Sequence, residues 1–156
     1  LRHTMLKVDI DTQVPLPSLL AGTQLVDWAQ LAYVDAENKA STNAEVAIAV
    51  VDGQAMRELN KTYRNVDKST NVLAFPAQMD PIDGIVHLGD IVMCTPIIEA
   101  EALDQGKKSA AHWAHMVIHG MLHLQGYDHE HSLDANKMES LEIELLAKIA
   151  LPNPYE

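Results

Sequence analysis

The sequence predicts an α+β fold, a single domain over residues 1–156 with a small mixed sheet of three to four strands and about five helices. Three observations carry that prediction. Short segments rich in Val and Ile alternate with longer stretches of helical periodicity. The 156 residues, 17.2 kDa in all, are enough chain to bury a core without disulfide staples. Hydrophobic residues make up 47% and charged residues 21%, which excludes a disordered, collagen-like or coiled-coil chain.

Each element follows from local pattern. Residues 7–11 alternate apolar and polar side chains and read as a first strand. Pro15 and Pro17 break the chain before a helix expected over about 18–34, where Leu19, Leu20, Leu25, Val26 and Ala29 recur at helical spacing. Residues 35–43 are polar and read as a loop. Residues 45–52 form a buried strand, and Asp52 caps the next helix, with Met56, Leu59 and Tyr63 expected on its inner face. Residues 71–76 and 88–94 are two further strands, joined by an exposed connection containing Pro81 and Gly84. Thr95-Pro96 opens a helix that runs to about Gln105 and is closed by Gly106. Residues 109–124 form a long apolar helix with Gly126 as its stop. A last helix runs from about Ser132 to Ile149, presents Met138, Leu141, Leu145 and Leu146, and is stopped by Pro152 and Pro154.

No apolar run approaches the roughly 18–20 residues a membrane span needs, and Lys7, Asp9 and Asp11 interrupt any export signal near the start. The single Cys94 forbids an internal disulfide and fits a reducing cytoplasm. A cytoplasmic protein without a membrane partner is the expectation.

Six of the eight histidines fall within residues 111–131. His119 and His123 are four apart and share one helix face, so two imidazoles can meet one metal ion. His129 follows a chain reversal at Gly126-Tyr127. Taken from His119, the offsets +4, +7 and +10 of His123, Gly126 and His129 match the metzincin peptidase pattern. Three histidines with an open fourth position form the catalytic rather than the structural kind of zinc site. One zinc ion is expected, although other divalent transition metals also take imidazole. The peptidase general base directly after the first histidine is replaced by Gly120, which argues against peptide hydrolysis. His115 lies one turn before His119 and is a candidate for proton transfer. Asp128 beside His129 is a candidate to orient a ligand imidazole.

The segment HGMLHLQGYDH, residues 119–129, resembles the signature of the YbeY family of bacterial endoribonucleases and rRNA maturation factors. Residues 59–76, LNKTYRNVDKSTNVLAFP, and 88–92, LGDIV, are similar to two further family segments. The resemblance implies a metal-dependent endoribonuclease that prefers single-stranded RNA and acts in small-subunit rRNA maturation and ribosome quality control. It implies zinc on His119, His123 and His129, and it maps a functionally important arginine onto Arg64. It also implies ribosomal partners and no DNA substrate. Arg64 has the planar, permanently charged fork that phosphate recognition needs; a surface ion pair with Asp67 is its plain structural alternative. Lys61, Lys68 and Asn71 are candidate substrate contacts. Against the family pattern, Ser69 stands where Pro is frequent and Ala74 where Ser is usual, so Ala74 lacks a hydroxyl for substrate.

The attacking group is either metal hydroxide or the RNA 2′-hydroxyl. Two rival functions stand beside the nuclease: a peptidase recruiting a distant Glu139 or Glu142, and a non-catalytic ribosome-associated factor with a structural metal. The net charge of −11 first argues against RNA. Its distribution reverses that argument. Residues 57–68 and 107–125 are the two positive windows, each +2, and they carry the arginine and the ligand helix. With screening over about 8 Å, an RNA strand feels that patch more than the distant acid.

Overall fold

A computed structural model describes residues 6–34, 43–127 and 132–156. Its elements run β1 (Leu6–Thr12), α1 (Gly22–Val34), β2 (Ala44–Val51), α2 (Gly53–Arg64), β3 (Val72–Pro76), β4 (Val86–Cys94), α3 (Thr95–Asp104), α4 (Ser109–Leu124) and α5 (Ser132–Lys148). The sheet order is β1-β2-β4-β3. β1 and β4 flank β2 in parallel, and β3 runs antiparallel to β4. This is the α+β class with a four-stranded mixed sheet.

Alternation along β2 and β4 divides the apolar residues between two faces. Val46, Ile48, Val50, Ile91 and Met93 join α1, α4 and α5 in the main core, with Trp113, Ile118 and Met121 fully buried. Val51, Val92 and Cys94 face the other way and pack with Met56 of α2 in a smaller cluster. Among the described residues, no helix is long and apolar enough to cross a membrane.

Local chemistry sets the boundaries. Asp52 Oδ1 accepts the Ala55 backbone N–H at 2.9 Å, as the cap reading required. Gly126 closes α4: its N–H reaches the His123 carbonyl at 3.0 Å, and the Tyr127 N–H reaches Leu122 at 3.0 Å. That paired pattern, with Gly126 at φ 99°, is a Schellman turn.

Two expectations are corrected. α1 starts at Gly22, not near residue 18: the Leu20 N–H closes a tight turn on Pro17 at 2.9 Å, and Leu19 is 94% exposed. Gln24 Oε1 accepts the Ala21 N–H at 2.8 Å and begins the helix there. Tyr63 is 64% exposed rather than buried, resting edge-on against Phe75 at 5.4 Å. The β3–β4 connection is exposed over residues 80–84, as expected, and ends in a tight two-residue turn, where Ile82 and Ile85 exchange backbone hydrogen bonds of 3.0 Å across Asp83-Gly84. Both turn residues have positive φ, which the Asp-Gly pair supplies at low cost.

Candidate metal centre

α4 presents His112, His115, His119 and His123 in a row, successive rings meeting edge to face at 6.3, 6.2 and 4.6 Å. The helix is tied to α3 by Glu99, whose Oε2 accepts from Ser109 Oγ at 2.6 Å and from the buried Trp113 indole at 3.1 Å. Gly120 lets α4 lie close to the sheet. A Cβ there would meet the Ile91 side chain at 3.1–3.3 Å, so a larger side chain at the position that holds the peptidase glutamate would require Ile91 to give way.

The row has a front and a back. In front is a cleft of about 570 Å³ lined by His119, Gly120, His123, Arg64 and residues 70–74 of the β3 region. Behind lies Glu142 of α5, which is 0% exposed. Its Oε2 is 2.6 Å from His119 Nδ1, and its Oε1 is 3.3 Å from His115 Nε2 and accepts the Tyr155 hydroxyl. Burial alone would raise this carboxyl, but hydrogen bonds from His115 and His119 outweigh it and hold the group down at about 2. An ionised carboxylate only accepts, so His119 carries a proton on Nδ1, and in the neutral imidazole that leaves the Nε2 lone pair facing the cleft.

That tautomer suits a metal. The Nε2 atoms of His119 and His123 are 3.1 Å apart. Two nitrogens on one tetrahedral zinc ion, each bonded at about 2.0–2.1 Å, lie about 3.3 Å apart. His115, His119 and Glu142 also gather ligand atoms within 4.8 Å of one another. There, however, the 2.6 Å contact between His119 and Glu142 is a hydrogen-bond distance, too short for two ligands of one such ion.

Sequence-predicted residues divide between front and back. Arg64 reaches the cleft from α2: its Nη2 donates to the Ala74 carbonyl at 2.9 Å, and its guanidinium lies 5.4 Å from the Phe75 ring centre. The ion pair with Asp67 belongs instead to Arg57, at 2.8 Å. Asn71 lines the cleft, but its amide is committed: Nδ2 donates to both Glu101 oxygens at 3.2 Å and Oδ1 accepts the Val72 N–H at 2.6 Å. Lys61 and Lys68 are exposed and do not line the cleft. His115 sits behind His119, 7% exposed, and does not reach the cleft. Asp128 and His129 lie outside the described residues.

Sequence reading missed three polar residues. Glu142 was weighed only as a peptidase base, a place its burial behind the histidines denies it. Glu101 joins Asn71 to His112, whose Nε2 it contacts at 2.9 Å, and Tyr155 closes the back of the site. Only the invariant need of a ligand imidazole for an acceptor on its far nitrogen pointed to such a carboxylate, and it does not say where in the chain to look.

Comparison with known proteins gives one answer. The family model described as "Endoribonuclease YbeY" matches residues 20–150. A Pseudomonas putida protein named "Endoribonuclease YbeY" is 47% identical over 154 residues, 97% of this chain and 94% of that one. A protein of the same name from Stutzerimonas stutzeri is 48% identical over 136 residues, 86% of this chain and 82% of that one. The solution structure of TM1509 from Thermotoga maritima shares the fold, with a TM-score of 0.58 at 24% identity over 93% of this chain and 91% of that one.

Proposed function

The chain belongs to the YbeY family, and we propose on that premise that it is a metal-dependent endoribonuclease cutting single-stranded RNA during rRNA maturation. One observation carries the reading: the paired Nε2 atoms of His119 and His123 share a cleft with Arg64. His119 and His123, with His129 by its spacing and the family resemblance, would hold one zinc ion. When bound, the ion supplies Lewis-acid stabilisation of phosphoryl oxygens.

The protein's own groups do the rest. Arg64 is already oriented by the Ala74 carbonyl and the Phe75 ring, so its fork meets a phosphate with little ordering cost. There it stabilises charge that builds on the phosphorus oxygens in the transition state. Asn71, with its amide committed to Glu101, shapes the cleft wall. Lys61 and Lys68 attract the RNA strand from outside the cleft. His115 reaches the reaction only through Glu142, and Asp128, by its place beside His129 in the sequence, is the candidate to orient that imidazole. The whole chain, 1–156, acts as one domain in the cytoplasm, where an unpaired Cys94 persists, with ribosomal partners.

The test is cleavage of a single-stranded RNA oligomer with metal content measured in parallel. His123→Ala loses zinc and cleavage together. Arg64→Ala keeps zinc and loses about 10²–10³ in kcat, while Arg57→Ala cleaves normally. Full cleavage by a zinc-free His123→Ala protein, or metal-dependent cutting of peptides in place of RNA, overturns the reading.

A further inference from the structure

The chain beyond α5 folds back onto the histidine helix. Leu151 N–H bonds the Leu146 carbonyl at 3.0 Å, and Ala150 takes a left-handed φ of 59° to make that turn. Lys107 Nζ then pins the Pro154 carbonyl at 2.7 Å, and Asn153 Oδ1 accepts the Tyr155 N–H at 2.8 Å. These contacts aim Tyr155 inward. Its ring, 47% exposed as a residue, lies edge-on to His115 at 5.5 Å, while its hydroxyl donates to Glu142 Oε1. The family match ends at residue 150, so the match assigns Tyr155 nothing.

Glu142 has two oxygens and three donors. Oε1 is held by Tyr155 and by His115 at 3.3 Å, and Oε2 faces His119 Nδ1 at 2.6 Å. A carboxylate gripped at one oxygen cannot swing the other away. We propose that Tyr155 is a positioning residue for the metal site: its hydroxyl locks Glu142, and Glu142 in turn holds His119 in the tautomer and direction that ligation requires. This rests on the reading that His119 and His123 hold the ion. The tail is thus a strap whose grip sets metal affinity without touching metal or RNA.

The experiment is zinc affinity, measured by competition with a chromogenic chelator at neutral pH. Phe at 155 keeps the ring and removes only the hydroxyl, so the variant tests the bond in a folded chain. Losing a direct partner of a ligand histidine weakens metal binding about 10–100-fold, which is the expectation for Glu142→Gln; Tyr155→Phe, one bond further out, weakens it about three- to ten-fold. Adding Tyr155→Phe to Glu142→Gln costs nothing more, because the path runs through the carboxylate. Wild-type affinity in Tyr155→Phe overturns the inference, and so does an undiminished Tyr155→Phe effect in the Glu142→Gln background. A wild-type protein that binds no zinc overturns the proposed function and this inference together.

Discussion

Two carboxylates support the cleft from behind, and they differ in how far water can replace them. Glu142 is sealed at 0% exposure and serves His119, His115 and Tyr155. Glu101 is 31% exposed at its side chain and serves Asn71 and His112. Each joins a histidine of α4 to another element. In the sealed network, loss of the carboxylate strands every donor it served. At Glu101, water can take part of the role. Burial therefore sets the stakes of otherwise similar interactions.

The largest expected effect lies on the sealed side. Glu142→Ala destabilises the metal-free protein by about 3–5 kcal/mol, read from urea denaturation. Its acid titration gives a consistent magnitude. A folded value of about 2 against an ordinary 4.5 means the contribution is complete above pH 4.5. It is lost as pH falls toward 2 and amounts to about 3 kcal/mol.

Glu101→Ala sharpens the contrast. It costs about 1 kcal/mol and leaves zinc affinity unchanged, while Asn71 loses its anchor and RNA cleavage falls. If Glu101→Ala released zinc as readily as Glu142→Ala, the separation of the two supports would break.

The smallest effect is a pH signature of the half-open side. Burial outweighs the Glu101 hydrogen bond and pushes His112 below its ordinary 6.5. The unfolded chain then binds a proton that the folded chain refuses. Stability from neutral His112 is full above pH 6.5 and declines as pH falls through the folded value. The urea midpoint of the metal-free protein should thus begin to drop below pH 6.5, well before Glu142 titrates, and His112→Gln should flatten that first decline.

Legibility followed the range of the interaction. The His119/His123 pair, the Asp52 cap and the Gly126 turn were readable because their partners lie within a few residues. The start of α1 was misplaced because Leu19 fits helical periodicity yet points to water after a Pro-directed turn. Tyr63 was placed inside because periodicity marks a face, not what covers it. The exposed β3–β4 connection was readable from Pro81 and Gly84, its turn type being set by the positive φ of Asp83 and Gly84. The sequence offered Arg64 an ion pair with Asp67 as its plain structural alternative, but that pair belongs to Arg57, one helix carrying both arginines.

By itself, then, the sequence determined the fold class, the order of elements and the histidine face of α4, set by spacing and local backbone chemistry, while three of its segments carried the resemblance to the family. Tertiary structure alone decided what stands behind that face. Glu142 meets His119 across 23 residues, Glu101 meets Asn71 across 30, and Tyr155 meets His115 across 40. No periodicity reaches so far. Those partners are chosen by which elements the sheet order β1-β2-β4-β3 and the shared core press together. There, desolvation makes each buried polar atom require a partner.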